Sequence, residues 1–199
     1  MKYIALLRGI NISGKNKISM PELKKLLEEN NYQNVSTYLN SGNIIFECNI
    51  DNKETIMDNI HTLIKTKFLL DIPVYITTDK ELENILNNSP KWWGSTNKEI
   101  YDNLIFIIPP TKYEEVYNTI GSLKKGLEQI EEYNNCIFWS FDLNNYRKSN
   151  WWVKTASTDI KDKITIRTAN TMKKILEICQ KKYIYHHKNK YKEVIICTK

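Results

Sequence analysis

The chain has 199 residues, of which 41% are hydrophobic and 26% are charged, and its formal net charge is +6. This composition is typical of a globular protein with one large core or two small ones. The sequence lacks an apolar run of the roughly 18 residues that a membrane span requires, and it begins directly with a strand pattern instead of a signal peptide. We therefore expect a cytoplasmic protein with no membrane partner.

The excess positive charge lies at the C-terminus. Residues 1–180 contain 23 Lys and Arg against 22 Asp and Glu, whereas residues 181–199 contain six Lys against one Glu. A basic face on the whole domain would indicate a polyanion partner, but a basic tail is a weaker signal, because such tails are often merely solvated. We expect at most a weak nucleic-acid contact through this tail.

The cysteines and histidines do not indicate a metal or redox centre. Cys48, Cys136, Cys179 and Cys197 are far apart and include no CxxC pair, so we expect free thiols, no metal and no cofactor. The tail pair at residues 186–187 lacks the acidic or thiol partners of a zinc site. No arrangement of a nucleophile with a general base stands out, so the sequence leaves open whether the protein is an enzyme.

Residues 1–78 show the order βαββαβ of a ferredoxin-like fold. Ser19 is the expected N-cap of the first helix, with Glu22 completing a capping box and Pro21 tolerated in the first turn. The helices are predicted from apolar spacing and the strands from short apolar runs bounded by turn residues. The predicted strands cover residues 3–8, 35–39, 44–48 and 74–77, and the apolar stripes of the helices lie within residues 20–27 and 56–68.

Residues 79–102 are predicted to be a linker with a short helix and a break at Pro90, Trp92, Trp93 and Gly94. Residues 103–182 repeat a similar order and form a second ferredoxin-like domain, with a last helix over 172–179. Residues 183–199 form the basic tail, in which 194–197 could add an edge strand. The predicted fold is therefore α+β, with two ferredoxin-like halves built on antiparallel sheets, a C-terminal helix and a basic tail. A ligand cleft between the halves is expected.

Residues 9–16, GINISGKN, nearly match the phosphate-loop pattern GxxxxGK[ST]. Asn16 lacks the hydroxyl that would bind magnesium, and the helix cap at Ser19 lies too far along for the helix amides to face a phosphate. The loop therefore does not predict a nucleoside triphosphatase.

Arginine is rare in this chain, since only Arg8, Arg147 and Arg167 occur among 29 cationic residues. A retained arginine indicates a need for the planar guanidinium, which binds carboxylate or phosphate through two parallel hydrogen bonds. An equally good interpretation is an arginine held by a neighbouring carboxylate or by backbone carbonyl groups. The sequence does not decide between the two.

RGINISGKNKI at residues 8–18 and TYLNSGNIIF at residues 37–46 resemble motifs of the domain-of-unknown-function 1697 family. A further family motif, TxRNWNT, is similar to residues 165–171, where Arg167, Asn170 and Thr171 match and Thr168 and Ala169 differ. The resemblance is close over residues 3–48 and thinner elsewhere. It implies an α+β chain of two ferredoxin-like halves and brings no established reaction.

These motifs suggest an anion site that both halves form. We expect Arg8, Asn11, Lys15, Ser41 and Asn43 to line it, with Arg167 and Asn170 approaching from the second half. Under the alternative interpretation, residues 41–43 are only a tight hairpin and residues 8–11 only a loop over the sheet edge, because Gly, Asn and Ser favour turns for backbone reasons.

The function hypothesis is therefore a protein that binds a phosphate-bearing small molecule or a nucleic-acid end in a cleft between the halves. One alternative is a protein-interaction module that uses its sheet faces and tail, and another is an enzyme acting on a phosphorylated substrate. The sequence does not indicate an oligomeric state.

The paired tryptophans at 92–93 and 151–152, the latter beside Arg147, Lys148 and Lys154, are either core residues or a surface that stacks bases.

Overall fold

The computed structural model describes residues 1–156 and 159–181, which form two halves of the same topology followed by a C-terminal helix. The first half contains β1 (Lys2–Leu7), α1 (Met20–Glu29), β2 (Gln33–Tyr38), β3 (Asn43–Glu47), α2 (Lys53–Phe68) and β4 (Val74–Thr78). After α3 (Asp79–Asn87), the second half contains β5 (Ile100–Ile107), α4 (Tyr113–Ile120), β6 (Glu128–Tyr133), β7 (Cys136–Asp142), α5 (Asn150–Thr155) and β8 (Ile164–Thr168). The last helix, α6, begins at residue 169 and reaches residue 181, where the described segment ends.

Each half contains one four-stranded antiparallel sheet. The strand orders are β2-β3-β1-β4 and β6-β7-β5-β8, so equivalent strands occupy equivalent places in the two sheets. This is the arrangement that βαββαβ connectivity produces when sequential helices cover one face of an antiparallel sheet. The predicted fold of two ferredoxin-like halves is confirmed.

The apolar residues form three clusters in layers. The outer face of the first sheet packs against α1 and α2, and the outer face of the second sheet packs against α4 and α5. The middle cluster belongs to both halves, because it joins Ile4 and Leu6 of β1 with Leu104 and Phe106 of β5 and Met172 of α6. Helices α3 and α6 contribute to this middle layer, so the residues that follow each βαββαβ unit bind the two units together.

The middle cluster fills the space between the two sheets, where the sequence predicts a ligand cleft. The facing surfaces of the two sheets are filled by apolar side chains and by α3 and α6, and the two outer faces carry the other helices. The faces of both sheets are therefore covered within the described residues, which leaves little sheet surface for the interaction module considered above. A shared site between the halves must lie where the sheets end.

Four helices of the described chain begin with a hydroxyl side chain as the N-cap, at Ser19, Thr78, Ser149 and Thr168. The Ser19 hydroxyl accepts a hydrogen bond from Glu22 N at 3.5 Å, as predicted. Among the described residues, Ser19 N does not donate the reciprocal bond to the Glu22 carboxylate. A complete capping box occurs instead at α3, where Thr78 and Glu81 bond each other's backbone amides. Thr168 caps α6, since its hydroxyl accepts from Thr171 N at 3.2 Å.

Cys136 is fully buried in the middle cluster, and burial raises the pKa of its thiol to about 12. The unfolded chain releases this proton near the ordinary pKa of 9.0, whereas the folded chain keeps it until about 12. Below pH 9 both states hold the proton. Above it, each pH unit favours the unfolded chain by up to about 1.4 kcal/mol for this group.

We therefore expect the free energy of unfolding to fall as the pH rises from 8.5 to 10.5, with a shallower slope in Cys136→Ala. Urea denaturation across this range measures both slopes. Equal slopes in the two proteins would contradict the role assigned to Cys136.

The described residues contain no helix that is long and apolar enough to cross a membrane. They also contain no group of three or more His, Cys, Asp or Glu side chains that could hold a metal ion. The predicted edge strand at 194–197 and the basic tail at 183–199 lie outside the described residues.

Candidate functional site

The three motifs singled out in the sequence meet at the ends of the two sheets. The end of β1 at Leu7 lies beside the turn between β2 and β3, because Leu7 N donates a hydrogen bond to Gly42 O at 2.8 Å. Strand β8 of the second half reaches the same place, where Thr165 Oγ1 donates to Leu7 O at 3.3 Å. The structure therefore brings residues 7–8, 41–43 and 165–167 together, although they are up to 160 positions apart in the chain.

Arg167 makes the most contacts at this junction, which we call the seam, defined by residues 7–8, 41–43 and 165–167. Its side chain is buried, with 7% exposure. On the first half, its Nη2 donates to Leu7 O at 2.7 Å and to Ser41 O at 2.8 Å. Its Nε donates to Asn43 Oδ1. On its own strand, Nη1 donates to Thr165 Oγ1 at 2.9 Å and to Ile166 O at 2.8 Å. All five N–H groups of the guanidinium therefore have a protein acceptor.

The acceptors of Arg167 are all neutral. Burial and the positive charge of Arg8 lower the pKa of Arg167 to about 10, but the group remains charged at neutral pH. The hydrogen bonds of this buried cation are complete, but no anion neutralises its charge among the described residues. The electrostatic potential around the guanidinium is therefore positive. Arg167 thus favours an anion nearby through its charge, while its donors hold the two halves together.

Ser41 and Asn43 support this arrangement from the β2–β3 turn. Asn43 is fully buried, and its Nδ2 donates to Tyr38 O at 2.9 Å and to Ser41 Oγ at 3.0 Å. Its Oδ1 accepts from Arg167, so the amide is fully used within the protein. These two residues therefore shape the seam and have few groups left to bind a ligand directly.

Arg8 lies at the seam and differs from Arg167 in having unused donors. Its backbone N donates to Pro73 O at 2.9 Å, which fixes the chain just after β1. Its side chain is partly buried, and burial lowers its pKa while Asp162 raises it by a weaker electrostatic effect. Among residues 1–156 and 159–181, the Arg8 guanidinium has no hydrogen bond and no ion pair. Arg8 is therefore the side chain of the seam that is available to an anion.

The loop after Arg8 is closed by its own asparagines. Asn11 Nδ2 donates to Ile18 O and to Asn40 O, both at 2.9 Å, and Asn11 Oδ1 accepts from Ile18 N at 2.9 Å. Asn16 Nδ2 donates to Gly9 O at 3.0 Å. The helix begins at Met20, as the cap at Ser19 predicted. The predicted residue Asn11 thus holds the loop against the β2–β3 turn.

The other predicted residues lie outside the seam. Lys15 is exposed, and its backbone N donates to Ile12 O at 2.9 Å in a tight turn at the tip of the loop. A shallow cavity of about 420 Å³ lies beside this loop at the start of α1, lined in part by Asn11, Lys17 and Ser19. Asn170 is exposed in the first turn of α6. Of the seven predicted residues, the structure brings Arg8, Ser41, Asn43 and Arg167 together.

The two departures from the family motif fit the local structure. Thr168 stands where the resembled motif has asparagine, and it caps α6, which either residue type does well. Ala169 stands where that motif has tryptophan, and it is buried in the middle apolar cluster at the first turn of that helix. Neither position belongs to the polar contacts of the seam.

Sequence reasoning did not find the backbone acceptors of Arg167, although it had raised carbonyl binding as one interpretation. The relevant groups are Leu7 O, Ser41 O and the Gly42 backbone, and the identity of a residue does not show where its carbonyl group points. The sequence offered one signal for this site, namely that its three motifs all carry residues suited to binding an anion.

The fold and the seam define a class of protein: two ferredoxin-like units joined through a shared apolar layer, with a buried arginine that binds both units. A profile of the family described as "Protein of unknown function (DUF1697)" matches residues 1–138, so the chain belongs to this family. The match includes the first two motifs and ends before the segment around Arg167.

A solved structure also resembles this chain, that of the conserved bacterial protein SP0830 from Streptococcus pneumoniae. The two are 29% identical and superpose with a TM-score of 0.77, over 88% of this chain and 97% of that one. No similar sequence was found among proteins of curated function.

Proposed function

We propose that the protein binds a phosphate-bearing small molecule or a nucleic-acid end at the seam, with Arg8 as the direct ligand. One observation carries this proposal: the partly buried Arg8 guanidinium has no acceptor among the described residues, yet it lies close enough to Arg167 to lower the pKa of that residue. Two guanidinium groups of like charge repel each other where burial reduces the screening by water. An anion bound to Arg8 would offset the repulsion between the two guanidinium groups.

The remaining predicted residues have supporting roles in this proposal. Ser41, Asn43 and Asn11 hold the turn and the loop that surround Arg8, and Arg167 supplies positive potential. Lys15 and Asn170 lie outside the seam, so in this proposal they would contact only a ligand that extends beyond its phosphate group. Phosphate suits Arg8 because a guanidinium can donate two parallel hydrogen bonds to it.

Thermal unfolding in the presence of inorganic phosphate, pyrophosphate and nucleoside phosphates tests this function. A ligand at 100 times its Kd stabilises the folded protein by about 2.7 kcal/mol, which raises the melting temperature by several degrees. We expect Arg8→Ala to fold and to lose this increase. Lys25→Ala, which removes an exposed positive charge of α1 that is not part of the seam, is the control and should keep it.

Two results would contradict the proposal. The first is a melting temperature that no phosphate-bearing ligand raises in the native protein. The second is an equal increase in the native protein and in Arg8→Ala. If a phosphorylated compound is instead turned over and Arg8→Ala abolishes the turnover, the enzyme alternative gains support at the same site.

A further inference from the structure

The second tryptophan pair is divided between the core and the surface. Trp151 is fully buried, and its Nε1 donates to Gly121 O at 3.1 Å. Trp152, the next residue on α5, is 41% exposed. It lies on the outer side of the second half, on the face of that sheet that is turned away from the first half. The tertiary structure thus places the two indoles in opposite surroundings.

Trp152 belongs to a group of aromatic rings with two exposed members. Its ring packs against Phe141 with the centroids 5.3 Å apart, and Tyr101 contacts the other side of this group at 5.4 Å from Phe141. Tyr146 meets Trp152 edge to face at 5.0 Å and 82°. The Phe141 ring is tilted by 58° against Trp152 and the Tyr146 ring is nearly perpendicular to it, so neither described ring stacks in parallel on the indole. Because the indole is also exposed, a flat ring could stack on its open surface.

Two exposed cationic side chains, Arg147 and Lys148, lie beside these rings. The Arg147 guanidinium stands 5.5 Å from the centroid of the Tyr146 ring, and its Nε donates to Tyr146 Oη at 3.0 Å. Lys148 Nζ donates to the neutral Asn145 Oδ1 at 3.0 Å. Asp142 attracts Lys148 electrostatically, but its two oxygens accept hydrogen bonds from Asn144 N and Asn145 Nδ2. Among the described residues, neither cation forms an ion pair with a carboxylate.

Buried polar contacts hold this surface in place before any partner binds. The Glu128 carboxylate is buried under the start of α5 and accepts from Asn150 N at 2.8 Å and from Trp151 N at 3.2 Å, while the Ser149 hydroxyl also donates to it. The Ser149 oxygen in turn accepts from Trp152 N at 3.2 Å. Since the helix that carries Trp152 is already ordered, stacking on its ring would cost little conformational entropy.

We propose that this surface, formed by Tyr101, Tyr146, Arg147, Lys148 and Trp152, binds single-stranded nucleic acid. Exposed rings stack bases, and exposed cations attract the phosphates that connect them, which is how single-strand binders combine the two contacts. A purely apolar protein partner would cover the positive charges of Arg147 and Lys148 without offering them an anion. A polyanion that lacks bases would leave the exposed rings unused. This surface is separate from the seam and does not depend on the function proposed there.

Fluorescence titration of the full-length protein tests the proposal, with oligo(U), oligo(dT) and an abasic oligomer of the same length. We expect the two base-containing strands to quench tryptophan fluorescence and to bind at least about fivefold more tightly than the abasic strand. Trp152→Ala should reduce their affinity by about fivefold or more, whereas Trp152→Phe, which keeps a ring, should restore much of it. A preference between oligo(U) and oligo(dT) would show whether RNA or DNA is bound.

Two control variants distinguish base stacking from non-specific apolar binding and from non-specific electrostatic binding. Leu69→Ala removes an exposed apolar side chain from the first half, and Lys25→Ala removes an exposed charge from α1. Both should bind as the native protein does, and Arg147→Ala should weaken binding and reduce its dependence on salt. Equal binding of the abasic strand, or unchanged affinity in Trp152→Ala, would overturn the proposal. So would the absence of binding to any strand at low salt. Circular dichroism of each variant shows whether it is folded.

Discussion

Replacing Arg167 with alanine is expected to lower the free energy of unfolding by about 4 kcal/mol. The substitution leaves Leu7 O, Ser41 O and Asn43 Oδ1 without their shared donor at the seam, and it removes the side chain that joins the two halves. Lysine at the same position keeps the charge but lacks the five fixed donors, so Arg167→Lys should still lose about 2 kcal/mol. Urea denaturation, followed by far-ultraviolet circular dichroism, measures both values.

Arg8→Ala is the matched control for this prediction, because it removes from the same seam a guanidinium that has no acceptor within residues 1–156 and 159–181. We expect it to change the free energy of unfolding by less than about 1 kcal/mol, since it also removes the repulsion with Arg167. A similar loss of stability in Arg8→Ala and Arg167→Ala would show that the two arginines do not have the separate roles assigned here.

Gly42→Ala is expected to have the second large effect, a loss of about 3 kcal/mol or more. Gly42 has a φ of +76°, and a Cβ at this position would lie 2.6 Å from Leu7 Cβ and 3.0 Å from Ile10 Cδ1. Both neighbours are buried, so they cannot move away without disturbing β1. Because Gly42 lies in the seam, the variant should also weaken any ligand effect that depends on Arg8. Thermal and urea denaturation measure the loss.

Gly9→Ala and Gly14→Ala separate the two causes of this loss. Both glycines have positive φ, at +67° and +77°, but a Cβ at either would meet no atom within 4 Å. The free energy of unfolding of each variant should therefore fall by only about 1 kcal/mol, the cost of placing alanine in a left-handed backbone conformation. If Gly42→Ala cost no more than these two, the close packing of the β2–β3 turn against β1 would be of little importance.

Much of the fold could be predicted from the sequence because its signals are local. Apolar residues at helical spacing, such as Ile56, Ile60 and Ile64, report one buried face, and Ser19 marks the start of α1. The chain order of strands and helices then limits the topologies to few, of which two ferredoxin-like units are one. The motifs also predicted a shared anion site, and four of its seven predicted residues lie together at the seam, while anion binding there stays a prediction.

The tertiary structure alone decided what each of these residues does. Arg8 and Arg167 have the same side chain and comparable positions near strand ends. Arg167 is nevertheless buried among carbonyl groups, whereas the described part of the chain offers Arg8 no acceptor. Trp151 and Trp152 are adjacent, yet one fills the core and the other faces solvent. The physical reason is the same in both cases: the role of a polar or aromatic side chain depends on acceptors and surfaces that distant parts of the chain supply, and only folding brings them within reach.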